Sequence, residues 1–187
     1  MSIISEAAIS GNRSTMLRIP LTPSDLKALH EEVQRLHGGY ERNLLRAIFG
    51  DGYLLYLTNM IIGTEDCWIP EVLNPIEKLL IAVSSSAVED HLAELCLNAE
   101  SDAATVSKAC FLLQSVATVH MWPRLPSFGQ SERLDVQRCG VSILERVVSA
   151  GLQPSTEGAR LTFGYFEDKD DDYIRRVLAE VKAELQP

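Results

Sequence analysis

The sequence predicts a mainly α-helical protein, with room for one short strand or hairpin near the C-terminus. Apolar residues recur at helical spacing along most of the chain, capping residues precede many of those stripes, and only residues 160–166 alternate with a period of two. About six to eight helices accommodate these stripes. With 187 residues, 46% of them hydrophobic, the chain is long enough for one domain with a substantial core.

The stripes can be taken in order. Residues 1–21 are polar and aperiodic and are expected to form an arm. Thr22 as N-cap and Pro23 at the first helical position open a helix bearing Leu26, Leu29, Val33 and Leu36, which Gly38-Gly39 stops. A second helical stretch runs from Arg42 to Phe49 and ends at Gly50. A third, Tyr53 to Ile62, is apolar almost all round and is expected to be covered on every side. Residues 63–74 read as a loop holding Cys67 and Trp68.

Asn74-Pro75-Ile76-Glu77 is a helix start, with Glu77 at the capping-box position. Ser84-Ser85-Ser86 interrupts the stripe that follows, and Ser86-Ala87-Val88-Glu89 has the form of a second capping box. Two helices with a break at the serines are therefore expected, the second carrying Val88, His91, Leu92 and Leu95. Ser101-Asp102 caps the next helix, whose face is Val106, Cys110, Leu113, Ala117 and His120, and Pro123 ends it. Residues 124–130 read as a loop. Ser131 to Ala150 is helical, with Val136, Cys139, Ile143 and Val147 in register, and Gly151 closes it. A linker at Pro154 to Gly158 precedes the alternating stretch Arg160 to Phe166, where Leu161, Phe163 and Tyr165 share one side of a strand. Asp170-Asp171-Asp172 opens a last helix, Tyr173 to Leu185, as negative charge at a helix N-terminus.

Charge and composition exclude several functions. Lys+Arg is 17 against 26 Asp+Glu, a net charge of −9, with no basic run, so neither nucleic acid nor an anionic membrane is an expected partner. No apolar run is long enough to span a bilayer. MSIISEAAIS lacks the basic and apolar regions of a secretory leader, so a cytoplasmic location is expected. The four cysteines, Cys67, Cys96, Cys110 and Cys139, are spaced by 29, 14 and 29 residues. No CxxC or zinc-finger spacing is present, so reduced, structural thiols are expected, with no metal and no cofactor. His30 and His37 lie seven residues apart on the first helix, but without a third ligand they read as surface residues.

The stretch from Glu77 through Ala82-Val83-Ser84 to Cys96 resembles the core of the carboxymuconolactone decarboxylase/alkylhydroperoxidase D (AhpD-like) superfamily. That family has a Glu near a helix start, an A-V-S-like segment, a break, and then C-x-x-C-x-x-x-H opening the next helix. Glu77 and Ala82-Val83-Ser84 match. The first family Cys falls on Glu89, the second on Leu92, and the family His on Cys96, with His91 inside the former C-x-x-C. Asn43-Leu44-Leu45-Arg46-Ala47 is similar to an upstream family segment. The resemblance spans residues 40–125 and implies an AhpD-like helical core over residues 22–126, with residues 127–187 as a helical extension packed on it. It also implies a homo-oligomer, in keeping with the apolar 53–62 stretch.

Because neither family Cys position holds sulfur, disulfide-based peroxide reduction is not expected. Glu77, His91 and Cys96 are the candidate catalytic residues for acid–base chemistry on a small organic substrate. On one helix, His91 and Cys96 diverge by about 140°, which argues against a direct dyad. On an unbroken helix, Glu77 and His91 lie ~21 Å apart, so they can cooperate only if the chain turns at the serines. The other use of these side chains is structural: Glu77 and Glu89 as capping residues, His91 as a buried hydrogen-bonded group, His120 as packing at a helix end, and Cys96 as a core thiol. A divergent enzyme and a non-catalytic scaffold or regulatory partner both follow, separated by whether a cavity or a filled core surrounds these residues.

Overall fold

A computed structural model describes residues 39–63, 77, 80, 81, 85–151 and 156–185. The expected arm, the Thr22 helix with His30 and His37, the Asn74-Pro75 helix start and the loop holding Cys67 and Trp68 lie outside these. Among the described residues the protein is mainly helical and has no strand, and no helix is long and apolar enough to cross a membrane. The chain divides into two units, Met1–Val88 and Glu89–Pro187.

In the first unit, α1 spans Gly39–Gly63 and kinks at Gly50, whose φ of 44° and ψ of 158° are non-helical. A residue with a Cβ rarely adopts such a φ, so the sequence signal for a stop at this glycine has a direct backbone cause. Beyond the kink, Leu54, Leu57, Thr58 and Ile61 are buried while Tyr56 and Asn59 are exposed. The expectation of burial all round is therefore corrected: this stretch is amphipathic, because Thr58 is turned inward and returns its hydroxyl to Leu54 O at 2.8 Å, leaving Tyr56 to face out. Residues 77, 80 and 81 are helical, with Leu80 buried and Ile81 exposed.

The expected interruption at the serines is present at Ser85, and α2 begins one residue later, Ser86–Leu97. The cap is shifted by one residue from the expected one. Ser85, itself buried, accepts from the Val88 N–H at 3.4 Å and donates its hydroxyl to Asp51 Oδ1 at 2.6 Å. Ser86 is already helical, and Glu89 bonds elsewhere.

In the second unit, α3 spans Ala103–Val116, and its N-cap Asp102 accepts from the Thr105 N–H at 2.9 Å, as the sequence predicts. The helix stops at Val116, well before Pro123. Pro123 lies inside a 3-10 turn, Val119–Arg124, whose cap is Thr118. The expected loop at 124–130 is instead a short helix, α4, Leu125–Gln130, with a proline in its first turn. Proline fits there because its missing N–H would have no intrahelical acceptor.

Helix α5, Leu134–Ser149, is the centre of this unit. It packs against α3, α4, the 3-10 turn and α7, which spans Asp172–Glu184. Its buried face contains the predicted Val136, Cys139, Ile143 and Val147, widened by Gly140, Val141, Leu144 and Val148. Gly140 is required by close approach: a Cβ there would lie 2.5 Å from Phe128 Cβ and 3.1 Å from Phe166 Cζ.

Residues 160–166, expected as a strand, lie within helix α6, Thr156–Glu167, packed on α4 and α7. Phe163 and Phe166 point inward, while Leu161 and Tyr165 are exposed. The i, i+3 pair of phenylalanines sets the period, and a helix satisfies its own backbone where a lone strand would have no partner. The acid run acts as predicted: Asp171 caps α7 by accepting from the Ile174 N–H, and Arg138 of α5 clamps the same carboxylate at 2.7 Å.

Two stability changes follow. Gly140→Ala gains about 1 kcal/mol of helix propensity, but the overpacking costs about 1–3 kcal/mol. Because the nearest atom is a Cβ that cannot swing aside, net destabilisation is expected in denaturant melts. Ser85→Ala is expected to cost about 1 kcal/mol, whereas Ser86→Ala is neutral or slightly stabilising; the reverse order would place the cap at Ser86.

Candidate functional site

Glu77 belongs to the first unit, and His91 and Cys96 to the second. Glu77 is helical and half-buried in the first unit. His91 and Cys96 are on α2, where Val88, Leu92 and Cys96 form the buried stripe and His91 flanks it, half-buried. Cys96 is 1% exposed, and its thiol faces other sulfurs in the core. Their five-residue spacing leaves Cys96 on the buried stripe and His91 at its flank.

Glu89 stands where the resemblance would put the first cysteine. It is almost fully buried, and both carboxylate oxygens are engaged by one residue. The Thr118 N–H donates to Oε2 at 3.0 Å, and the Thr118 hydroxyl lies 2.9 Å from Oε1 and 3.1 Å from Oε2. Thr118 Oγ1 in turn accepts from the His120 N–H. Next to Glu89, Asp90 pairs with Arg124 at 2.9 Å and with His120 Nε2 at 3.2 Å. Thus the first turn of α2 is fastened to the 3-10 turn by two adjacent carboxylates, one inside and one at the surface. A buried carboxylate without such donors would carry a large desolvation cost. The place of His120 is in this surface pair, beyond the end of α3.

Sequence spacing did not reveal the other cluster. Cys96 on α2, Cys110 on α3 and Cys139 on α5 are all buried, and their Sγ atoms lie within 4.8 Å of one another. The Cys96 and Cys110 sulfurs are 3.5 Å apart, and the Cys139 thiol points at Cys110 O at 3.6 Å. The only signals in the sequence were that Cys110 and Cys139 lie on the apolar stripes of their helices and that Cys96 reads as a core thiol. Convergence of three stripes is a property of packing.

The three thiols are coupled. Hydrogen bonding with Cys139 and Cys96 lowers the Cys110 thiol from its ordinary value. The bond to Cys110 pushes Cys96 up, and burial, then Cys110, pushes Cys139 up. The Arg133 guanidinium contributes a favourable field at Cys110, opposed by Asp135. Arg133 is held in place by Asp135 and by Ser101 O at 3.2 Å.

Comparison with protein-family models and with curated protein sequences finds no match to this chain.

The Glu89–Thr118 brace has a measurable consequence. Thr118→Val removes the hydroxyl donor from a buried carboxylate and is expected to cost about 1.5–3 kcal/mol, as for hydrogen bonds to charged groups. The double change with Glu89→Gln should cost less than the two single losses combined. Additive losses in urea melts would show that the two residues act independently.

Proposed function

We propose that this chain is a non-catalytic helical scaffold or regulatory partner, acting as a cytoplasmic homo-oligomer. On this reading, an AhpD-like helical core has had its reactive positions converted to structural ones. The observation that carries it is the engagement of Glu89: the position where the resemblance would place a nucleophilic sulfur holds a buried carboxylate tied by both oxygens to Thr118. The position of the family His is Cys96, sealed in the core. Assembly draws support from α6, where Leu161 is 58% and Tyr165 36% exposed one turn apart. Two large apolar side chains on one outer face suit a neighbouring subunit.

A second reading, divergent acid–base chemistry on a small organic substrate by Glu77 and His91, rests on the interruption of the helical path at Ser85. Those two residues need a change of chain direction there in order to meet.

Light scattering at micromolar concentration is expected to give a multiple of the monomer mass, reduced by Leu161→Glu. A monomer mass for the unaltered chain overturns the oligomeric scaffold. Peroxide consumption with thiol reductants is expected to stay at the level of a Cys96→Ser control; turnover above that level overturns the non-catalytic reading.

A further inference from the structure

We propose that Cys96, Cys110 and Cys139 form a binding site for one soft, monovalent d10 metal ion of the copper(I) kind, held by three sulfurs inside the second unit. Geometry is the first reason. A metal with sulfur bonds of about 2.3 Å in a trigonal plane needs sulfurs about 4 Å apart. The three Sγ atoms lie within 4.8 Å of one another, with one pair at 3.5 Å. Small side-chain rotations suffice to close the triangle.

The donor set selects the ion. Three sulfurs with no oxygen or nitrogen among them exclude magnesium and calcium, which require oxygen ligands. Structural zinc takes four ligands in a tetrahedron, and among the described residues no fourth cysteine, histidine or carboxylate joins the group. Copper(I) is soft, prefers thiolate, and is satisfied at low coordination number. The surroundings fit as well. The cysteines are 1%, 6% and 0% exposed, so the ion would sit away from water, and Cys110, the most exposed, is the entry point. Each thiol that ligates transfers its proton to solvent, and the copper stays at +1 throughout, so no oxidant or reductant is consumed.

The test uses the full chain with Cys67→Ser, so that Cys96, Cys110 and Cys139 are the only thiols left. Reduced protein under anaerobic conditions is titrated with copper(I) against a copper(I) chelator of known affinity. The expected result is one equivalent retained, a sulfur-to-copper absorption band in the ultraviolet, and an X-ray absorption spectrum with a sulfur-only shell. Adding Cys110→Ala or Cys139→Ala should weaken retention by at least about tenfold, the loss caused even by changes around metal ligands. If those variants fail to fold, as judged by circular dichroism, the X-ray absorption of the parent decides alone. No retention against the chelator, nitrogen or oxygen in the shell, or retention unchanged in the folded variants overturns the site. Binding of one zinc ion in preference to copper(I), or formation of a Cys96–Cys110 disulfide in place of metal binding, overturns it equally.

Discussion

The second unit depends on the close approach permitted by Gly140. At that point α5 lies against Phe128 of α4 and Phe166 of α6, closer than any side chain would allow. Four further consequences rest on this contact. Phe128 and Phe166 become fully buried, α5 can reach α3 and α7 on its other sides, Cys139 is delivered to the interior, and Arg138 is left at the edge to clamp Asp171. Close packing in interiors is intolerant of added volume, so one missing Cβ determines where four elements sit.

The polar groups of this unit work as fasteners at helix ends. Asp102 and Asp171 each satisfy backbone donors at the start of a helix, and Thr118 does so for the 3-10 turn while holding Glu89. Arg146 donates to Ala117 O at 2.9 Å, where α3 ends. The end of α3 is therefore held from two sides, by α5 through Arg146 and by α2 through Glu89. This explains why the helix stops at Val116 and not at the proline: the chain turns where its exposed carbonyl and N–H find side-chain partners.

Glu89 and Cys96 illustrate how one residue pattern supports two readings. In the sequence, Glu89 has the place of a capping-box residue and Cys96 stands where the resemblance would put a histidine. In the fold, the neighbouring Ser85 takes the capping role, Glu89 is released to reach a threonine 29 residues away, and Cys96 joins two other thiols. Glu89 braces α2 against the residue that caps the 3-10 turn. The cysteines that looked scattered form the one group of metal-ligating side chains found among the described residues.

Features with local causes were legible in the sequence. Gly50 broke its helix because of its own φ, Asp102 and Asp171 capped theirs through a backbone N–H three residues on, and α5 displayed its apolar stripe at the helical period. These signals depend on atoms within a turn or two of the residue. The remaining features depend on packing between elements. Residues 160–166 became a helix because Phe163 and Phe166 could be buried together against neighbours, and α4 formed in a stretch whose composition reads as loop. The meeting of Cys96, Cys110 and Cys139 required three stripes to face one another. Their separations of 14 and 29 residues along the chain carry no local interaction, so nothing short of the packed core could reveal it.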